Sequence, residues 1–98
     1  PVIEHDRARL NSVELIPFKR LIQNGVDAIM HAHLHVPALD TSETPSSLSY
    51  NIVTALLQEE LSYQGLNITD GLGMGALKKK YAPGELELKA FLAGNDIL

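Results

Sequence analysis

The sequence predicts an α/β fold built on parallel strands, and three observations predict it. Helix-like and strand-like stretches alternate along the chain, in the order helix, strand, helix, strand, helix, strand. A glycine closes each helix-like stretch shortly before the next strand, at Gly25, Gly65 and Gly94. Three parallel strands alone would leave open edges and an uncovered apolar face, so these 98 residues read as part of a larger fold.

The elements follow in order. Residues 1–12 read as a polar connection, with Ser12 as the cap of a first helix. Leu15, Phe18, Leu21 and Ile22 fall at helical spacing, and Pro17 is tolerable only near the first turn. From Val26 to Val36 apolar residues alternate with Asp27, Ile29, His31, His33 and His35, the period of a strand, which Pro37 ends. Residues 37–48 are a loop rich in Pro, Ser, Thr and Asp. Ser49 caps a second helix with the apolar stripe Ile52, Val53, Leu56, Leu57 and Leu61. Leu66–Thr69 is a short strand ending at Asp70. Gly71, Gly73 and Gly75 make the next segment a loop. Pro83-Gly84 leads into a helix through Leu86–Leu92, and a third strand starts at Asn95.

Composition narrows the function. A net charge of −4 argues against a nucleic-acid binder, and Lys78-Lys79-Lys80 reads as a solvated helix end or turn. With no cysteine, disulfides and thiolate chemistry are excluded, but the compartment is not fixed. No stretch has the ~18 apolar residues of a membrane span. Pro1–Asp6 lacks the basic end and apolar run of a signal peptide, and the missing methionine fits a cleaved or trimmed chain.

Asp70 is the sharpest candidate for chemistry. It follows a strand, and in parallel α/β folds reacting groups sit at carboxyl ends of strands. A carboxylate there can attack an anomeric carbon, act as a base or bind a metal; alternatively it caps the next turn. His31, His33 and His35 are the rival signal. On a continuous strand they share one face and two of them could chelate a divalent metal; alternatively they line a polar pocket. Asp27 and Asp96 lie at strand starts and read as structural. Asp40 and Glu43 read as solvated loop acids. Met74 either packs beneath a sugar ring or fills a gap.

The run Gly65-Leu66-Asn67-Ile68-Thr69-Asp70-Gly71-Leu72-Gly73-Met74-Gly75-Ala76-Leu77 resembles the nucleophile segment of glycoside hydrolase family 3, in its bacterial β-N-acetylglucosaminidase branch. Pro17-Phe18-Lys19, Val26–Met30, Ala32-His33, Pro37–Asp40, Leu48-Ser49, Leu56–Leu61 and Ala93–Asp96 fit it as well, so the resemblance covers nearly the whole chain. Gly71 departs from it, standing where the branch often has alanine or aspartate.

The resemblance implies a partial (β/α)₈ TIM barrel, with residues 1–98 as the C-terminal portion of that domain, roughly strands six to eight. It implies that Asp70 is the nucleophile of a retaining enzyme acting on terminal β-N-acetylglucosamine, from muropeptides or chitin fragments. The acid/base would be a histidine in an Asp-x-His loop, near a Lys-His-Phe-Pro-Gly-His-Gly segment. Neither motif occurs here, so the remaining barrel strands are implied as a partner. Met74 and His33 become expected substrate contacts, with no cofactor and no metal. Two alternatives stay open: a metal-dependent hydrolase using His31 and His33 with Asp70, and a non-catalytic barrel fragment.

Overall fold

The computed structural model describes residues 1–73 and 75–98, Ala76 by its backbone alone. A helical run over residues 7–23 comes first: one turn at Arg7–Arg9, a π-wound stretch at Leu10–Glu14 and a regular helix at Leu15–Gln23. It starts earlier than Ser12 implies. Asp6 is the cap, its Oδ1 accepting from the Arg9 amide at 2.8 Å, while the Ser12 hydroxyl donates to the Arg9 carbonyl. Pro17 therefore lies inside helix. It donates no amide and crowds the carbonyl four residues back, and the wider π spacing sits just ahead of it.

Two strands, Ala28–His31 and Leu66–Thr69, pair in parallel with Ala28 opposite Leu66 and His31 opposite Thr69. On the other side, Ile68 bridges Ile97, again in parallel. Leu66–Thr69 is thus central, and the chain's last residues begin the expected third strand. The first strand is shorter than the alternation over Val26–Val36 predicts. Beyond His31 a loop serine takes over the backbone's hydrogen bonds. Ser46 donates its hydroxyl to the Ala32 carbonyl, accepts from the Leu34 amide, and donates its own amide to the Leu34 carbonyl. His35 then pairs with residues 1–3, so the first residues are not a free connection.

Helix Asn51–Glu60 returns the chain from the first strand to the second, its end wound so that the Leu61 amide reaches Leu56. Ser49 caps it as expected, its Oγ accepting from the Ile52 amide. Its apolar side enters a core of Leu10, Leu15, Val36, Ile52 and Leu56. A second core joins Leu48, Leu77, Leu86 and Ala90. It involves helix Gly75–Lys80, which occupies part of the stretch expected to be loop, and helix Glu85–Ala93. Lys78–Lys80 end the shorter of these helices, where cations favour the exposed carbonyls.

Paired residues of parallel strands point the same way. His31, Asn67 and Thr69 share one face and are buried. Ile29, His31, Ile52 and Leu57 line a common cavity on that side. The opposite face is apolar and open: Met30 is 64% exposed, Leu66 47% and Ile97 48%.

His31 sits inside this packing. Its Nε2–H donates to Asn67 Oδ1 at 2.9 Å, because an amide oxygen can only accept. Burial pushes its pKa below the ordinary 6.5, and the Asn67 bond only partly opposes this. The unfolded chain therefore binds the proton more readily, and stability drops as pH falls below about 6.5 towards the folded value. In urea unfolding, the stability advantage of the wild type over His31→Gln is expected to shrink across that window. A difference that stays flat from pH 8 to pH 5 contradicts it.

Gly94 closes the last helix with φ 120°, a conformation side chains rarely adopt. A Cβ there would collide with Thr54 Oγ1 and crowd Val53 Cγ1 at 3.2 Å. The Thr54 hydroxyl already donates to the Ala93 carbonyl at 2.7 Å. Gly94→Ala is expected to lower unfolding free energy by about 1–3 kcal/mol, read from the urea midpoint. An unchanged midpoint would show that this turn can relax.

Candidate active site

Asp70 lies immediately past the carboxyl end of the central strand. Its amide donates to the His31 carbonyl at 2.9 Å, so its backbone is still held by the neighbouring strand. Its position, two residues beyond Ile68, gives it the alternation of the open apolar face. The residue is half-buried, and its Oδ1 accepts from the Gly71 amide at 2.8 Å. That contact is the turn-capping bond weighed against a chemical role. Among the described residues it uses one oxygen and leaves the carboxylate its other.

His33 lies beside the same turn. Its Nε2–H donates to the Gly71 carbonyl at 2.8 Å, and the Ser47 hydroxyl, 2.7 Å away, donates to Nδ1. Both ring nitrogens are thereby used, and neither is spare for a ligand while these bonds stand. Met74, the other expected substrate contact, falls outside the described residues. The three histidines do not form one row: His31 is in the strand, His33 is past its end, and His35 pairs with the first residues. Among the described residues no group of three or more His, Cys, Asp or Glu side chains is assembled for a metal ion.

Two of the other acids, Asp96 and Asp40, have structural partners. Asp96 Oδ2 accepts from the Asn67 amide at 2.9 Å, fastening the third strand to the second. Asp40 was expected to be a solvated loop acid and is buried. Burial alone would raise its carboxyl pKa. The hydroxyls of Ser42 and Ser49, the Ser42 amide and the nearby charge of His35 outweigh it and hold the group below the ordinary range. Ser42 was hidden in a run that reads as loop, so its bond to Asp40 gave no sequence signal. Ser47 and Asn95 were missed as well. Ser47 sat in the same polar run, and Asn95 looked like part of a strand entry. Asn95 donates Nδ2 to the Ser47 carbonyl at 2.7 Å and to the Ala90 carbonyl at 2.9 Å.

A groove of about 470 Å³ opens beyond the Asp70 turn, lined by Leu72, Gly73, Lys78, Tyr81, Pro83 and Leu86. Asp70 is not among its walls. The described residues therefore present the carboxylate at a sheet edge without enclosing a substrate around it.

Comparisons with known proteins agree with this geometry. All 98 residues match the model of the glycosyl hydrolase family 3 N terminal domain. A beta-hexosaminidase A of Pseudoalteromonas piscicida is 37% identical over 108 residues, covering 99% of this chain and 18% of that protein. A beta-hexosaminidase of Nitrosospira multiformis is 32% identical over 98 residues, covering all of this chain and 28% of its own length. Among solved structures, a glycoside hydrolase family 3 beta-N-acetylglucosaminidase from a Paenibacillus species superposes with a TM-score of 0.94 at 43% identity, over 99% of this chain and 18% of that one. The chain thus spans less than a third of the length of the relatives it matches. The family's N-terminal domain is a TIM-barrel-type domain, in keeping with the parallel strands and helical returns found here. The chain belongs to glycosyl hydrolase family 3 and matches its N-terminal domain from Pro1 to Leu98.

Proposed function

We propose that these residues supply the nucleophile of a retaining β-N-acetylglucosaminidase, as part of the last three strands of a (β/α)₈ barrel. The observation that carries this is the position of Asp70, at the carboxyl end of the central parallel strand and on the face where apolar side chains stand open. Relatives bearing beta-hexosaminidase and beta-N-acetylglucosaminidase names support the substrate class. The exposed row Met30, Leu66 and Ile97 supports the barrel, because further strands would bury it.

In this reading the Asp70 carboxylate attacks C1 of a terminal β-linked N-acetylglucosamine. A bond forms between the carboxylate oxygen and C1 as the glycosidic C1–O bond breaks. The leaving oxygen takes its electron pair and a proton from an acid outside these residues. Water then attacks C1 from the face that the leaving group vacated, giving up a proton to the same group and releasing Asp70. Two inversions give net retention.

The test uses the protein that carries this chain. A 5-fluoro N-acetylglucosaminyl fluoride is expected to label it with one sugar, located on Asp70 by peptide mass spectrometry. Asp70→Asn is expected to lower kcat on an aryl N-acetyl-β-glucosaminide by at least about 10³-fold. Labelling elsewhere, or full activity in the variant, removes Asp70 from this role. Activity lost to a chelator with Asp70 unlabelled would return the metal-dependent alternative.

A further inference from the structure

We infer that His33 is a positioning residue for Asp70, holding the nucleophile turn through the carbonyl of Gly71 rather than binding the sugar. The inference rests on the proposed role of Asp70. Its basis is a continuous line of hydrogen bonds: Asn95 to Ser47, Ser47 to His33, and His33 to Gly71.

The links to carbonyl oxygens have only one chemical sense, and with a neutral ring the Ser47 link follows from them. A carbonyl oxygen only accepts, so the nitrogen facing Gly71 must be Nε2–H. Neutral imidazole then offers Nδ1 as an acceptor, and the Ser47 hydroxyl fills it. Ser47 is fully buried and Asn95 is 2% exposed. The amide of Asn95 is oriented by two carbonyls, those of Ser47 and Ala90, which both require its NH₂ side. The anchor therefore reaches from the end of the last helix through the loop after the first strand to the turn after the second.

The turn needs such a tie. Asp70-Gly71-Leu72-Gly73 contains two glycines, which lose the most backbone freedom on ordering. A Cβ at Gly71 would meet nothing within 4 Å, so local crowding does not hold the turn in place. The His33 bond falls on the carbonyl of Gly71, the residue after Asp70, whose carboxylate is itself bonded to the Gly71 amide. Moving Gly71 moves the carboxylate.

The experiment compares wild type, His33→Ala, His33→Gln and Ser47→Ala in the whole protein, by steady-state kinetics on an aryl N-acetyl-β-glucosaminide and by thermal unfolding. His33→Ala is expected to lower kcat roughly 10- to 100-fold, the scale of a displaced reacting group, with KM within about two-fold. His33→Gln keeps a donor near the Nε2 position and is expected to restore most of kcat. Ser47→Ala, which frees the ring to turn, is expected to give a smaller loss of kcat and serves if His33→Ala does not fold. A rise in KM with kcat intact makes His33 a sugar contact and overturns the inference. So does a His33→Gln variant as slow as His33→Ala, or a change confined to unfolding temperature. Fluoro-sugar labelling separates the two claims. A wild type labelled away from Asp70 rejects the nucleophile and this inference together, whereas Asp70 labelled with unchanged kcat in both His33→Ala and Ser47→Ala rejects His33 alone.

Discussion

The parallel pairing of Leu66–Thr69 with its neighbours is the constraint from which the other features follow. A parallel strand cannot be reached by a tight turn, so the chain must cross back over the sheet before each new strand. Helix Asn51–Glu60 makes that return before Leu66, and helix Glu85–Ala93 makes it before Ile97. The same pairing brings both strands out of the sheet at one edge, because His31 stands opposite Thr69. His33 and Gly71 each lie two residues further on. Their hydrogen bond is the continuation, by side chain, of a register set by backbone.

The two faces of the sheet are inverted relative to a self-contained domain. The covered face carries His31, Asn67 and Thr69, and the open face carries Met30, Leu66 and Ile97. Leaving apolar side chains wet forgoes about 25 cal/mol for each Å² that burial would remove from water. Polar groups on the covered face need partners instead, and the His31–Asn67 bond across the strands supplies one. Such a sheet gains by meeting further protein on its open side. This is the expectation for a segment covering 18% to 28% of its relatives within a TIM-barrel-type domain.

The order of the elements was legible because hydrophobic period and glycine stops are local signals. The Ser49 cap, the strand at Leu66–Thr69 and the third strand's beginning were all found where the residues placed them. Departures arose where a long-range bond overrode a local pattern. The alternation through Val36 is real in the sequence, yet Ser46 claims the backbone of Ala32 and Leu34. Helix Asn51–Glu60 gives way not at Gly65 but at Ser62, a non-glycine residue with φ 59°. Gly65 answers a different need, since a Cβ there would lie 2.6 Å from the Tyr63 hydroxyl and 2.7 Å from the Asp27 carbonyl. Asp70 was visible as a strand-end carboxylate. Ser47 and Asn95 were not, because a buried polar link between segments 48 residues apart has no periodicity.

The aspartates show why place in the sheet says more than residue type. Asp27 and Asp96 stand at strand starts, where free backbone donors and acceptors must be satisfied before the ladder begins. Asp96 meets that demand by taking the Asn67 amide on one carboxylate oxygen, while the Asn67 carbonyl accepts from the Asp96 amide. Asp40 lies in the loop past the first strand and has enough donors around it to be buried as an anion. A carboxylate so fully engaged is a poor nucleophile, since attack would have to break bonds that stabilise its charge. Asp70 is different because the strand holds its backbone while, among the described residues, its side chain is bonded through a single oxygen to the next amide. A fixed main chain with a lightly bonded carboxylate is what the nucleophilic role proposed for Asp70 calls for. In this chain the combination arises at the carboxyl end of the central strand.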